Sequence, residues 1–514
     1  MSLTPIRNLG SIGIVKDKDS YDLPPNAFSG GLNVISEDGA IIKALGYDNV
    51  SWVDSAVFGC GWYNTVENSH IYVKSDGSIH RWNGTALTPY DANIINNGND
   101  YYQFAKAGTH LIINNGIDVP FTASPGGLGL PTISLDYLAN WDSTWRCKVI
   151  KIYKTFMVAI GMQKGSTEYP MMIKWSDAIE PNSTNANWDE TDVNSLAGEN
   201  VLTGGDGEIL NIEELGDQLM IYTPSSVWSM QFVGGQYVFN FRKVFADTGI
   251  ASQDCVVEFD GKHFCVAIDD IYVQNGTTKE SISDGRITNS FINECDDMSS
   301  VKVHKDSSNK LIYVCYKTKS SDYLNKAWVW NWVTNAWTQI ELPNITQVFT
   351  APRLGNPATY EDLTESYNTS TWTYNSLDPK YREEQMYWVR SDGFVDLNGT
   401  SYTHNGSQYS SYVEQVAIDL DEVTGSGTRD IKQLSRIYPQ ISGEGEVTIR
   451  VGGSNNPQGS IKWDIPVTYD IKTDHKVDTR ITYRYLAIRL EQNTAGSFKL
   501  TGWDLDINPQ RYQR

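Results

Sequence analysis

Seven histidines are the first residues to weigh as metal ligands or proton carriers: His70, His80, His110, His263, His304, His404 and His475. None stands four residues from another with a glutamate between them, the spacing that puts two imidazoles and a base on one helix face. Several lie in apolar runs of strand character, such as His263-Phe264-Cys265-Val266. They read as hydrogen-bonded strand residues. The six cysteines, Cys60, Cys147, Cys255, Cys265, Cys295 and Cys315, have no CxxC spacing. Cys265 and Cys315 fall inside apolar runs, which favours buried thiols over a disulfide framework. Asp17-Lys18-Asp19 and Gly204-Gly205-Asp206-Gly207-Glu208 suggest calcium. Neither supplies the alternately spaced oxygen ligands that a calcium loop needs, and solvated turns account for both.

Lys74-Ser75-Asp76-Gly77 and Arg390-Ser391-Asp392-Gly393 partly match the Asp-box turns of sialidase propellers. Asp-Gly is also an ordinary hairpin turn. There is no Gly-x-Ser-x-Gly elbow and no phosphate-binding glycine loop, and nothing singles out one carboxylate pair among 62 acidic residues for glycoside hydrolysis. The sequence therefore assigns no catalytic, cofactor-binding or metal-binding residue, and the expectation is a protein that is not an enzyme. Trp328, Trp330 and Trp332 alternate along one run and share one strand face, with Trp337 close behind. Packing between sheets is the plain reading of that stripe, and an aromatic platform for sugars is the alternative.

The elements that would position these residues recur. His70-Ile71-Tyr72-Val73, a turn at Ser75-Asp76-Gly77, Ile79 to Trp82 and Asn83-Gly84-Thr85 form one copy. His263 to Ala267, Ile271 to Gln274 and Asn275-Gly276-Thr277 form another. A third runs from Met386-Tyr387-Trp388-Val389 through Phe394 to Leu397 and Asn398-Gly399-Thr400. Poorer copies start near His110, Thr155, Gln218 and Lys310. Successive starts lie roughly 40 to 75 residues apart, the length of a four-stranded propeller blade with insertions. The fold expected is all-β: a β-propeller of six or seven blades over residues 58–411, with insertions near 163–206 and 352–384. Residues 1–57 form a segment tied into the propeller. From Tyr412 the pattern changes to longer alternating strands such as Trp503-Asp504-Leu505-Asp506-Ile507, so 412–514 reads as a C-terminal β-sandwich. Its linker falls at Thr424 to Gly427 or at Asn405-Gly406-Ser407.

Aromatic residues make up 12% of the 514 positions, with 29 Tyr, 16 Trp and 42 Gly, a composition of short strands and tight turns. The formal charge is −21, which opposes nucleic-acid binding through a basic groove. Residues 429–514 hold 13 basic and 10 acidic side chains, net +3, so the remainder carries −24. No apolar stretch has signal-peptide or membrane-span length, and the expectation is synthesis in the cytoplasm.

Tyr21-Asp22-Leu23-Pro24-Pro25-Asn26-Ala27-Phe28-Ser29-Gly30-Gly31-Leu32-Asn33-Val34, followed by Glu37-Asp38-Gly39-Ala40 and Leu45-Gly46-Tyr47, resembles the opening of a group of phage tail proteins. Arg484-Tyr485-Leu486-Ala487-Ile488-Arg489 and Gly502-Trp503-Asp504-Leu505-Asp506 are similar to that group's ending. Together they match the layout of the tail nozzle, or tail tubular (hub), proteins of short-tailed bacteriophages. The resemblance implies a virion structural protein. It implies a homo-oligomeric ring of six copies, in contact with portal-adaptor proteins and with tail fibre or spike proteins. DNA would pass through the channel without sequence-specific binding, and no cofactor is implied. An acidic lumen would repel phosphates and let the genome slide. The alternative is a glycan-binding or glycan-degrading propeller, a receptor binder or depolymerase.

Overall fold

The computed structural model describes residues 3–53, 57–63, 69–74, 76–84, 86–89, 101–124, 134–204, 207–235, 237–354, 384–421 and 430–510. Strands dominate, and the one α-helix among the described residues is Thr288–Glu294.

The propeller has seven blades. Their inner strands are Val57–Tyr63, Gln103–Ala107, Trp145–Tyr153, Asn211–Leu215, Val256–Phe259, Lys302–Asp306 and the second half of Ala336–Pro352. Each touches the next, and the last touches the first. Blades 1 to 5 are separate four-stranded sheets, whereas blades 6 and 7 share one seven-stranded sheet. Ala336–Pro352 joins them: as far as Glu341 it pairs with Leu324–Asn331 as the outer strand of blade 6, and from Ile345 it pairs with Glu384–Arg390 as the inner strand of blade 7. Asn344 in the left-handed region (φ 56°) turns the strand between the two roles. Blade 7 is completed from the other end of the chain, by Tyr47–Trp52 pairing with Phe394–Asn398.

All seven recurring segments fall on second strands of blades: Ser69–Lys74, His110–Asn114, Phe156–Lys164, Gln218–Tyr222, Lys262–Val266, Leu311–Tyr316 and Glu384–Arg390. A second strand is flanked on both edges and covered on both faces, so it reads as an unbroken apolar run. Every residue of Ser69–Lys74 and of Leu311–Tyr316 is buried.

The sandwich has two sheets. One orders Val34–Glu37, Ala40–Lys43, Ser497–Gln510, Ile431–Glu444 and Val477–Tyr483, with Leu3–Arg7 also on Ser497–Gln510. The other orders Gly30–Leu32, Ser411–Ile418, Tyr485–Gln492, Glu446–Ser454 and Lys462–Trp463, with Val467–Asp470 also on Glu446–Ser454.

Two expectations need correction. The segment 1–57 is not wholly tied into the propeller. Only Tyr47–Trp52 enters a blade, while Leu3–Arg7, Gly30–Leu32, Val34–Glu37 and Ala40–Lys43 belong to the sandwich. Strands contributed by 411–510 leave open edges, and the N-terminal strands cover them. The insertion expected at 163–206 is narrower, because Phe156–Lys164, Thr167–Trp175 and Gly198–Val201 are strands of blade 3. The loop at 176–197 is held down: Glu190 pairs with the fully buried Lys174 at 2.5 Å, and Trp188 is 1% exposed. Most of the insertion near 352–384 and the linker at Thr424 to Gly427 lie outside the described residues.

One apolar core runs through both lobes. It extends from Tyr222, Phe264, Trp328 and Trp337 in the blades through Ile14 and Phe28 to Val413, Leu434 and Trp503 in the sandwich.

Candidate functional site

The bore of the propeller is the first place to look for chemistry. Charged side chains on or beside the inner strands pair between neighbouring blades: Lys148 with Glu208 at 2.9 Å, Lys305 with Glu258 at 3.1 Å, Lys302 with Asp254 at 2.8 Å, and Lys151 with Glu213. The Tyr101 hydroxyl donates to Asp254 Oδ1 at 3.2 Å. Tyr101 leads into the inner strand of blade 2 and Asp254 into that of blade 5. Three blades apart in a ring of seven, they reach each other only across the bore. A channel spanned by one hydrogen bond between opposite walls admits no polymer.

Burial alone would raise the Asp254 carboxyl, but the Lys302 charge and hydrogen bond, with His304 and Tyr101, hold it below the ordinary carboxylate value. Burial pushes the His304 imidazole down to about 4 and raises the Cys60 thiol. Asp254 is thus an anion committed to two donors, His304 is neutral at pH 7 and Cys60 keeps its proton. None of the three is set up as an activated base or nucleophile.

The second place is the junction of the lobes, where the two segments that carry the family resemblance meet. Gln415 Nε2 donates to Pro25 O at 2.7 Å and to Ala27 O at 3.0 Å, while Gln415 Oε1 accepts from the Trp503 indole N–H at 3.2 Å. Asn33, in the left-handed region at φ 57°, stands at the centre of the joint. Its N–H donates to Gln339 O at 2.8 Å. Its amide donates to Ser410 O at 2.8 Å and to Glu341 Oε2 at 3.0 Å, and its Oδ1 accepts from the Glu341 N–H at 2.8 Å. The Ile14 N–H donates to Trp337 O at 2.7 Å. These bonds cover the free edge of blade 6. Close backbone approach fixes a glycine here: a Cβ on Gly10 would lie 2.0 Å from Ala40 O. Asp17 caps the short helix of the blade 5 to blade 6 connection, accepting from the N–H groups of Asn289 at 2.6 Å and Ser290 at 2.9 Å. That capping contact is the role the structure gives to Asp17 of this acidic stretch.

The other chemistry-bearing residues are dispersed. His263 sits between Glu214 O at 2.7 Å and the Tyr222 hydroxyl at 2.5 Å. His70 is buried against Phe349 and Tyr387, and His404 is stacked between Tyr47 and Tyr409. Burial lowers both to about 4. All six cysteines are free, five of them buried. Among the described residues no cluster of His, Cys, Asp or Glu is arranged to hold a metal. Trp328 and Trp330 are 0% and 5% exposed, and Trp330 packs on Phe259 and Phe264 of blade 5. They are packing between blades, and no sugar platform forms on that stripe. Asp76 and Asp392 of the Asp-box-like turns bond locally, to Ser78 and to Arg390. Sequence reasoning missed the Tyr101 and Asp254 crossing and the Asn33 joint. Each pairs residues more than 150 positions apart, and no local signal marks them.

No family model matches the chain, and no curated protein matches it. Among solved structures, a chain described as "Crystal Structure of Mitotic Checkpoint Complex" aligns with a TM-score of 0.39 and 9% identity, over 70% of this chain and 94% of that one. Among the described residues no helix is long and apolar enough to cross a membrane.

Proposed function

We propose that this chain is a non-enzymatic structural subunit of a bacteriophage tail, a nozzle or hub ring whose copies enclose an acidic channel for the viral genome. The observation that carries the reading is the joint. The N-terminal and C-terminal segments that resemble tail nozzle proteins converge on Gln415 of the sandwich, and Ile14 and Asn33 of the N-terminal region bond the outer strand of blade 6 at Trp337, Gln339 and Glu341. A load-transmitting ring subunit needs lobes that do not swing, and a shared core with buried hydrogen bonds supplies that stiffness.

Because each propeller's own bore is crossed by Tyr101 and Asp254, the conduit must lie between copies. A wall built from a chain of net charge −21 repels phosphates and displaces no counterions from them. In this reading the ring sits in the virion tail, beside portal-adaptor proteins and fibre or spike proteins, and DNA slides past without being read.

The test is retention of duplex DNA by the purified ring at about 150 mM salt, where screening reaches about 8 Å. The expected result is no complex. Tight, salt-sensitive binding would overturn the conduit reading, and release of sugars from host surface polysaccharide would overturn the non-enzymatic one.

A further inference from the structure

Two buried imidazoles occupy equivalent places in blades 1 and 5. The second residue of a blade's second strand packs on the preceding blade: it is Leu111, Met157, Leu219 and Ile312 in blades 2, 3, 4 and 6. In blades 1 and 5 it is His70 and His263. Each bonds a main-chain carbonyl on the preceding blade's inner strand. His70 Nε2 donates to Pro352 O of blade 7 at 3.2 Å, and His263 Nε2 to Glu214 O of blade 4 at 2.7 Å. Both side chains are buried, at 1% and 0% exposure.

The partners fix where the proton sits. A carbonyl oxygen only accepts, so each Nε2 carries the hydrogen and each Nδ1 presents a lone pair. The Tyr72 hydroxyl lies 3.3 Å from Nδ1 of His70, and the Tyr222 hydroxyl 2.5 Å from Nδ1 of His263. The Tyr222 oxygen already accepts from Gln274 Nε2 at 2.7 Å, and that amide is 3.3 Å from His263 Nδ1. A proton added to His263 Nδ1 would therefore face two donors. Burial lowers His70 to about 4 and lowers His263 as well. Among the described residues no charged side chain acts on His70; its titratable neighbours are Tyr72 and Tyr387, and Arg353 bears on Tyr387. Around His263, Glu213 and Glu258 favour a proton and Lys151 opposes it. Both carboxylates are already paired, Glu213 with Lys151 and Glu258 with Lys305. Burial raises the Tyr222 hydroxyl and the Cys265 thiol beside it, and both keep their protons.

We propose that His70 and His263 are acid-released clasps: on taking up a proton they loosen the propeller at two seams, between blades 7 and 1 and between blades 4 and 5. These seams divide the propeller into an arc of blades 1–4 and an arc of blades 5–7. Asn33 ties the sandwich to the second arc at blade 6. Tyr101 and Asp254 join the arcs across the bore. The Asp254 carboxyl is held below the ordinary carboxylate value, so that tether outlasts the clasps as the pH falls. An imidazole lowered in the closed seam contributes fully above its ordinary value, and the contribution is lost as the pH falls toward the closed value. From an ordinary value of about 6.5 in the open seam to about 4 in the closed one, a drop from pH 7 to pH 5 favours opening at His70 about twentyfold. The device does not depend on how the chain assembles.

The experiment times thiol labelling by dithiodipyridine in the full chain at pH 7 and at pH 5. Cys265, fully buried against Tyr222, reports on the seam between blades 4 and 5. Ala351→Cys, at a fully buried position in the cluster between blades 7 and 1, reports on the other seam. Cys147, buried between blades 2 and 3, is the internal reference that cancels the reagent's own pH dependence. Relative to Cys147, labelling at both seams should rise on acidification, about twentyfold at position 351. His70→Gln and His263→Gln keep an N–H for the carbonyl but take up no proton. Each should abolish the rise at its own seam and leave it at the other. Ratios that stay flat with both histidines in place, whether the thiols all remain protected or all open together, would overturn the proposal, as would a rise that survives glutamine at its own seam. Cys265 in the unaltered chain decides the case even where a variant fails to fold.

Discussion

Replacing Asn33 should loosen the whole molecule. The side chain is 2% exposed and makes three hydrogen bonds, to Ser410 O, Glu341 Oε2 and the Glu341 N–H. At about 1 kcal/mol net per bond the loss in Asn33→Ala is about 3 kcal/mol. Alanine at φ 57° adds about 1 kcal/mol of backbone strain that asparagine largely avoids. The sum, about 4 kcal/mol, is a large part of a typical domain's stability. Asn33→Asp should cost a similar amount at neutral pH by a different route, since it puts a carboxylate where an amide met Glu341 Oε2 at 3.0 Å. That loss should shrink as the pH falls and one carboxyl takes up a proton. Guanidinium unfolding followed by tryptophan fluorescence and by far-UV circular dichroism measures both. Because the core is continuous, the two signals should move in one transition in the wild type and shift together in the variants. A loss under about 1 kcal/mol in Asn33→Ala, or an Asn33→Asp protein as stable as wild type at pH 7, would refute the joint as described.

Further outcomes follow from the same contacts. Deleting 412–514 removes the partners of Leu3–Arg7, Gly30–Leu32 and Ala40–Lys43, so the remainder should be insoluble or molten by circular dichroism; a well-folded, monodisperse propeller would contradict the interlock. Trp337→Phe leaves the Ile282 carbonyl without its indole donor, now at 3.0 Å, and should cost about 1–3 kcal/mol in the same unfolding assay. Asp396, fully buried where Tyr47–Trp52 closes blade 7, has its carboxyl pushed up by burial, with Asp392 adding to the rise against Arg390, Asn405 and Asn49. A raised folded value means that its contribution favours folding at low pH and is lost as the pH rises through that value. Asp396→Asn should therefore stabilise the protein at pH 7, with a gain that fades toward pH 4. A gain independent of pH would show that titration is not the cause.

The blades were legible because a second strand buried on both faces leaves a run such as His70-Ile71-Tyr72-Val73, and seven such runs mark seven blades. Their outer strands were not. Lys279–Ser281 is three exposed residues, too short to carry an alternation. The strand that closes blade 7 was beyond local reading, since Tyr47–Trp52 pairs with Phe394–Asn398 across about two-thirds of the chain. The N-terminal strands of the sandwich were hidden for the same reason: Gly30–Leu32 holds three residues and finds its partner in Ser411–Ile418. The alternation of Trp503, Leu505 and Ile507 did show one buried face. What it could not show is that the core continues through Phe28 into the propeller. Composition reported acidity but not its layout, so the charge pairs in the bore could not be placed beforehand.

Imaging of the purified full-length protein, with its particle mass measured in parallel, tests the central claim most directly. A ring of six 57.6-kDa chains has six times that mass, and the expected images show a closed ring of propellers around a central opening, with each propeller's own bore filled. Monomers at every concentration, or a ring whose only openings are the bores within single propellers, would contradict the account.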